Sequence, residues 1–264
     1  MPSSLIHINN RPLFIETTGS GPPLIVLHGL GGSTNLFPLA TNLAAFFTVI
    51  RFDFEGAGKS PLDDSTSELK MDSFVEDVKA VLEWAGFEGV KSRVFGHSLG
   101  AAVALHFAAT YPNLVHSLVL SCPSVARSES TEGRAASRAL AATAREKTPF
   151  NMADFTSIKN TSPNASLLAR ALVRTAMQES TAEGYAKTCE MIAVTPSPDW
   201  RRITSKVLVI AGKYDQISSV EAGEAIARCL VEAESVKVET VEAGHQPAVE
   251  VPDVVLALLQ AFFQ

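Results

Sequence analysis

Short, nearly continuous apolar runs alternate along this chain with longer stretches whose apolar positions recur every three or four residues. The two patterns predict strands and helices respectively. At the start, residues 5–8 and 13–17 are apolar runs parted by Asn9-Asn10-Arg11-Pro12, a turn cluster that predicts a hairpin and so an antiparallel edge to a sheet. Residues 24–27 and 48–52 lack a polar face, as expected of strands buried on both sides of a parallel sheet. Residues 35–45 between them have room for a helix. Within residues 71–85, Phe74, Val78, Val81 and Leu82 fall at helical spacing, with Gly86 as the stop. A strand at 93–95, an alanine-rich helix over 99–110 that ends before Pro112, and a strand at 118–121 follow. That order predicts right-handed crossovers and a mostly parallel sheet.

The alternation breaks between residues 125 and 199, where helix formers cluster at 135–146 and 167–177 with no clear strand between them. It resumes with a strand at 207–211, a helix at 220–230, a strand at 236–241 and a helix at 254–263. The expected organisation is therefore one α/β core made of residues 1–124 and 200–264, with residues 125–199 inserted as a helical cap.

Composition narrows the function classes. Hydrophobic residues make up 46% of the 264 and charged residues 19%, which excludes a disordered chain. The net charge of −6 and the lack of any basic block argue against nucleic acid as a partner. No apolar run approaches the roughly 18 residues of a membrane span. The N-terminal segment has neither the basic start nor the apolar stretch of a secretory signal, so a cytoplasmic location is expected. Cys122, Cys189 and Cys229 are widely spaced and odd in number, which fits reduced thiols rather than disulfides or a metal site.

Gly96-His97-Ser98-Leu99-Gly100 matches G-x-S-x-G, and it lies between a predicted strand and a predicted helix, where that motif forms a sharp turn presenting the serine hydroxyl above the sheet edge. The competing reading makes Ser98 a plain helix N-cap. Directly after the strand at 24–27 comes His28-Gly29-Leu30-Gly31-Gly32-Ser33, a loop able to present backbone NH groups. The NH of Leu30 and that of Leu99 would together form an oxyanion hole. Its glycines at 29, 31 and 32 do not have dinucleotide-loop spacing, and no cofactor is expected.

A serine nucleophile needs a base and a group that orients the base. In hydrolases with this elbow the order is nucleophile, acid, histidine. Asp215, just past the strand at 207–211, and His245, just past that at 236–241, fall in this order on loops at strand C-terminal ends, the rim where open parallel sheets build sites. Asp199 and Glu242 are alternatives for the acid. Asp53 with Gly56-Ala57-Gly58-Lys59-Ser60 reads as a fixed loop after a strand, His28 and His97 as structural support for the site's loops, and Cys122 as a small buried hydrophobe.

Taken together, Leu27 through Gly32, Phe52 through Ser60, Gly96 through Gly100, Tyr214-Asp215 and Gly244-His245 resemble the α/β-hydrolase superfamily over essentially the whole chain. The resemblance implies an eight-stranded sheet whose second strand is antiparallel, and a helical lid after the sixth. It also implies Ser98 as nucleophile with Asp215 and His245 as partners, Leu30 and Leu99 as oxyanion donors, no cofactor or metal, and a small-molecule ester or lactone as substrate. Through residues 182–190 and Asp199-Trp200 the chain further resembles the 3-oxoadipate enol-lactonase branch. Members of that branch need a cation for the substrate carboxylate, for which Arg127, Arg134, Arg138, Arg170 and Arg174 are candidates. A general carboxylesterase, a carbon–carbon bond hydrolase and a slow-turnover ligand receptor are the alternatives. Nothing in the sequence sets an oligomeric state.

Overall fold

In the computed structural model, which describes residues 4–63 and 67–264, the chain opens as the expected hairpin. Strands β1 (Ser4–Ile8) and β2 (Arg11–Thr18) pair antiparallel with Ile8 opposite Arg11. The turn is tighter than the four-residue cluster indicated. Only Asn9 and Asn10 form it, both at positive φ (48° and 66°), which asparagine tolerates and which suits the twist of a two-residue hairpin. Pro12 enters the strand because β2 meets its other neighbour only from Ile15 onward, so no ladder donor is lost there.

Strands β3 (Pro23–Leu27) and β4 (Thr48–Phe52) follow. The helix expected over 35–45 shrinks to a 3-10 turn and a four-residue helix, α1 (Ala40–Leu43). Pro38 interrupts that stretch, removing a donor and driving Phe37 out of the helical region to φ −125° and ψ 76°. Helix α2 (Met71–Trp84) stops at Gly86 with φ 88°. Next come β5 (Ser92–His97), α3 (Leu99–Thr110) and β6 (Val115–Ser121).

Three helices then lie between β6 and the next strand. The first, α4 (Thr131–Lys159), is broken at Thr148, whose φ of 63° and ψ of 147° lie outside the helical region ahead of Pro149. The second is α5 (Leu167–Gln178). The third, α6 (Ala182–Val194), carries no clear periodic signal because Gly184, Tyr185, Thr188 and Cys189 are weak helix formers. The Thr181 hydroxyl starts it by accepting the Gly184 NH at 3.0 Å. Arg145 ties α4 to α6 by pairing with both Glu183 and Glu190. The chain closes with β7 (Lys206–Gly212), α7 (Val220–Cys229), β8 (Val236–Val241), the one-turn α8 (Pro247–Glu250) and α9 (Pro252–Phe263).

The eight strands form one sheet in the order β1-β2-β4-β3-β5-β6-β7-β8. Antiparallel pairing is confined to β2 with its two neighbours, and every other pair is parallel. Alternate side chains of the central strands feed two cores. Ile25, Leu27, Val94, Leu118 and Val209 meet α2 and α3 through Phe74, Val78, Val103 and Phe107. Leu24, Val26, Phe95, Val119 and Ile210 meet α9 and the 37–43 segment. Each fully buried side chain of this size contributes about 1.5–3 kcal/mol relative to exposure. The cores thereby anchor the strand ends on which the loops at 28–33, 97–99, 213–217 and 243–246 converge. Among the described residues no helix is long and apolar enough to cross a membrane.

Candidate active site

Ser98 sits at the junction of β5 and α3 with φ 52° and ψ −112°, a conformation rare for a side chain bigger than hydrogen and held only where surrounding structure enforces it. The flanking glycines provide the clearance. A Cβ on Gly96 would lie 2.3 Å from the Gly100 carbonyl oxygen, and one on Gly100 would lie 2.2 Å from that of Leu27. The Ser98 NH donates to Ser121 O at 2.9 Å, locking the turn to β6. Its side chain makes no cap hydrogen bond to α3, so the N-cap reading does not account for the hydroxyl.

His245 and Asp215 come together from the ends of β8 and β7. His245 Nδ1 and Asp215 Oδ2 are 2.7 Å apart, while Asp215 Oδ1 accepts the NH groups of Ile217 at 2.7 Å and Ser218 at 2.9 Å. Burial pushes the Asp215 carboxyl up, but the His245 bond and these NH donors more than offset it, leaving the pKa below its ordinary value. The other candidate acids lie elsewhere. Asp199 caps the Arg201 NH, and exposed Glu242 pairs with Lys213 and the Tyr214 hydroxyl.

Ser98, His245, Leu30 and Leu99 all line one cavity of about 360 Å³. Among the described residues, no hydrogen bond engages the backbone NH of Leu30 or of Leu99. The 28–33 loop is shaped by Gly31 at φ 68° and by a Gly32 NH to Gly29 O bond of 3.0 Å. From the elbow the cavity follows the face of α3 that carries Leu99, Ala102 and His106, a reach of about 10 Å at helical rise. Met71, Leu105, Met152, Ile192 and Trp200 make its walls largely apolar. Of the five candidate arginines only Arg127 lines it. Arg134 and Arg170 donate to backbone carbonyls, Arg174 pairs with Asp154, and Arg138 is exposed. Among the described residues half-buried Arg127 has no ion-pair partner. Ser137, 2% exposed on the same cavity wall, has a hydroxyl with no partner among them.

The supporting residues act as backbone fasteners. Asp53 accepts the NH groups of Thr34 at 2.6 Å and Lys59 at 2.9 Å, so it ties the 28–34 loop to the turn at 56–60. His28 Nε2 accepts the Phe54 NH at 3.0 Å, which puts the ring proton on Nδ1, where it is donated to Gly29 O. His97 is held near pKa 3 by burial and by the neighbouring His245, whose ring centroid lies 5.0 Å away. His97 is therefore neutral at physiological pH.

Cys122 is buried at φ 47°, and desolvation drives its thiol pKa well up. Its sulfur and donor atoms of Asp215 and His245 lie within 4.8 Å of one another. The 2.7 Å bond that already joins His245 Nδ1 to Asp215, beside a thiol whose pKa burial raises, suits a hydrogen-bonded pair better than a cation, which requires deprotonated ligands.

Two acids stand out that sequence reasoning missed. Glu179 accepts from the Ser33 hydroxyl at 2.9 Å and from the Asn35 side chain, seating the α5–α6 corner on the 28–35 loop. Glu250 gathers three backbone NH groups around His245. Only its spacing, five residues past His245 and two before Pro252, could have drawn attention to it.

Comparison with known proteins places the fold. A family model described as the alpha/beta hydrolase fold matches residues 22–250. Pyrrolizixenacetamide deacetylase of Xenorhabdus hominickii is 28% identical over 261 residues, covering 92% of this chain and 91% of that protein. Among solved structures, a thermophilic esterase from Thermogutta terrifontis superposes with a TM-score of 0.88 at 24% identity, covering 100% of this chain and 98% of the other. The enol-lactonase of Burkholderia xenovorans LB400 gives 0.85 at 20% identity, with 98% and 99% covered. The sheet order, the antiparallel second strand and the match over most of the chain agree, and the chain belongs to the alpha/beta hydrolase fold family.

Proposed function

We propose that this protein is a serine hydrolase that cleaves a small carboxylic ester or lactone through Ser98, His245 and Asp215. The observation that carries the reading is the 2.7 Å bond from Asp215 to His245, whose side chain lines the same cavity as the strained Ser98. His245 takes the Ser98 proton as the hydroxyl attacks the carbonyl, and Asp215 holds the Nδ1–H tautomer that leaves Nε2 free to do so. The NH groups of Leu30 and Leu99 receive the oxyanion. His245 then returns the proton to the leaving oxygen, and water, activated by the same imidazole, releases the acid from Ser98. Residues 1–124 and 200–264 act as the catalytic core, and residues 125–199 act as a cap that shapes the cavity and excludes bulk water.

A lactone or ester that itself carries an acidic group, such as the enol-lactone of 3-oxoadipate, is the substrate class supported by Arg127. A half-buried guanidinium on the cavity wall without an ion-pair partner among the described residues favours a ligand that supplies the carboxylate. A panel of p-nitrophenyl acetate, simple lactones and acidic lactones tests both levels. Hydrolysis abolished in Ser98→Ala and fastest, by kcat/KM, on acidic lactones is expected. Turnover that survives in Ser98→Ala would overturn the mechanism. Equal rates on neutral esters and acidic lactones would overturn the substrate class alone.

A further inference from the structure

The loop carrying His245 is not held by the core alone. Its backbone NH donates to the carbonyl of Asn160 at 2.9 Å, and Asn160 belongs to the linker between α4 and α5, inside the segment inserted between β6 and β7. The neighbouring residue, Gly244, lies flush against the same linker. A Cβ there would come within 2.5 Å of the Ser162 nitrogen and 2.6 Å of the Thr161 carbonyl carbon. Between the two segments sits the carboxylate of Glu250. It accepts the Ser162 NH at 2.7 Å on Oε2, the Gln246 NH at 3.0 Å on Oε1, and the Gly244 NH at 3.0 Å on both oxygens. One acid thus joins NH groups on both sides of the histidine to an NH of the cap linker.

We infer that Glu250 is a positioning residue which makes the placement of His245 conditional on the seating of the cap linker 160–162, so that closing the cavity and assembling the base are one event. A carboxylate is suited to this because it only accepts, and its two oxygens offer about four sites. An amide in its place would turn a donor toward at least one of the three NH groups. Lifting the linker takes away the Asn160 carbonyl and the Ser162 NH together, leaving the His245 backbone NH without its acceptor and the carboxylate with only the core side of its bonds. The imidazole then loses the backbone support for its place in the cavity it shares with Ser98 while keeping its bond to Asp215, which comes from a separate loop. The inference rests on the serine-hydrolase reading for its kinetic consequence but not for its structural one, and the two can be tested apart.

The test pairs Glu250→Gln with backbone amide exchange. On p-nitrophenyl acetate, a neutral substrate that does not involve Arg127, the variant is expected to lose kcat by on the order of 100-fold, as small misplacements of a catalytic group do, with KM unchanged. Exchange at Ser162, Gly244 and Gln246 should accelerate together. An unchanged kcat, or faster exchange at Gly244 and Gln246 with Ser162 untouched, overturns the inference. Should the variant not fold, the wild-type protein decides it. The three amides are expected to exchange with a common opening free energy, whereas a Ser162 amide with an opening free energy unlike that of the other two overturns the coupling. Ser98→Ala assayed alongside separates the levels, because turnover retained there refutes the nucleophile while the exchange data still judge the clamp.

Discussion

Replacing Asp215 by Asn isolates what that carboxylate does. Oδ1 holds two backbone NH groups, from Ile217 and Ser218, and the amide oxygen of Asn must stay with them because an NH2 there would face two donors. The amide nitrogen is therefore forced into the place of Oδ2, 2.7 Å from His245 Nδ1. Facing a donor, Nδ1 becomes the acceptor and the ring proton moves to Nε2, the atom that receives the Ser98 proton in the proposed mechanism. The direct loss is one charge-assisted hydrogen bond, about 1.5–3 kcal/mol. The wrong tautomer costs more: roughly 10⁴-fold in kcat, or about 5.4 kcal/mol of transition-state stabilisation. Steady-state hydrolysis of p-nitrophenyl acetate by Asp215→Asn, with thermal melting in parallel, measures both. A correctly folded variant within ten-fold of wild type would refute the assignment of Asp215 as the orienting acid.

Two further perturbations address stability and specificity. Asp77 in α2 is fully buried against Arg11 and Asn9, yet its carboxyl is pushed up to about 6, because desolvation outweighs the bonds from Asn9 and Arg11 and nearby Glu55 adds to the push. The native state then binds this proton more tightly than the unfolded chain, so its contribution is present below the unfolded pKa and is lost as pH rises through about 6. Asp77→Asn should raise stability at pH 8 by up to about 3 kcal/mol, with the gain vanishing toward pH 4. Urea denaturation checks this, and a variant less stable than wild type at pH 8 contradicts it. Arg127→Gln should raise KM for an acidic ester or lactone by roughly 10- to 100-fold while leaving kcat/KM for p-nitrophenyl acetate unchanged. Equal losses on both substrates would show that the arginine does not read the acid group.

What could be read from the chain and what could not divide along physical lines. The β3, β6 and β7 strands were legible because burial on both faces demands uninterrupted apolar residues, and α2 because one face alone is buried. The Ser98 elbow was legible because its close backbone approaches demand glycine at 96 and 100, a local requirement. Asp215 and His245 could be singled out because each follows a strand end on the same rim. Helix α6 was not legible, since tertiary burial of Tyr185, Ala186 and Cys189 holds a segment whose own propensity is poor. The extension of α4 past Thr148 was hidden by Pro149, and the missing helix over 35–45 was an overreading of a stretch that contains Pro38. Glu250, Glu179 and the selection of Arg127 from five arginines depend on which backbone NH groups and walls the fold brings alongside, and no spacing along the chain encodes that.

The most direct measurement of the central claim is the mass of the enzyme caught during turnover. Mixing with p-nitrophenyl acetate and quenching in acid within the first turnover should give a species heavier by one acetyl group. Peptide mapping should place that group on Ser98, and the species should be absent in Ser98→Ala. An acetyl group mapped to another residue, or full turnover with no acylated protein and undiminished activity in Ser98→Ala, would contradict the account.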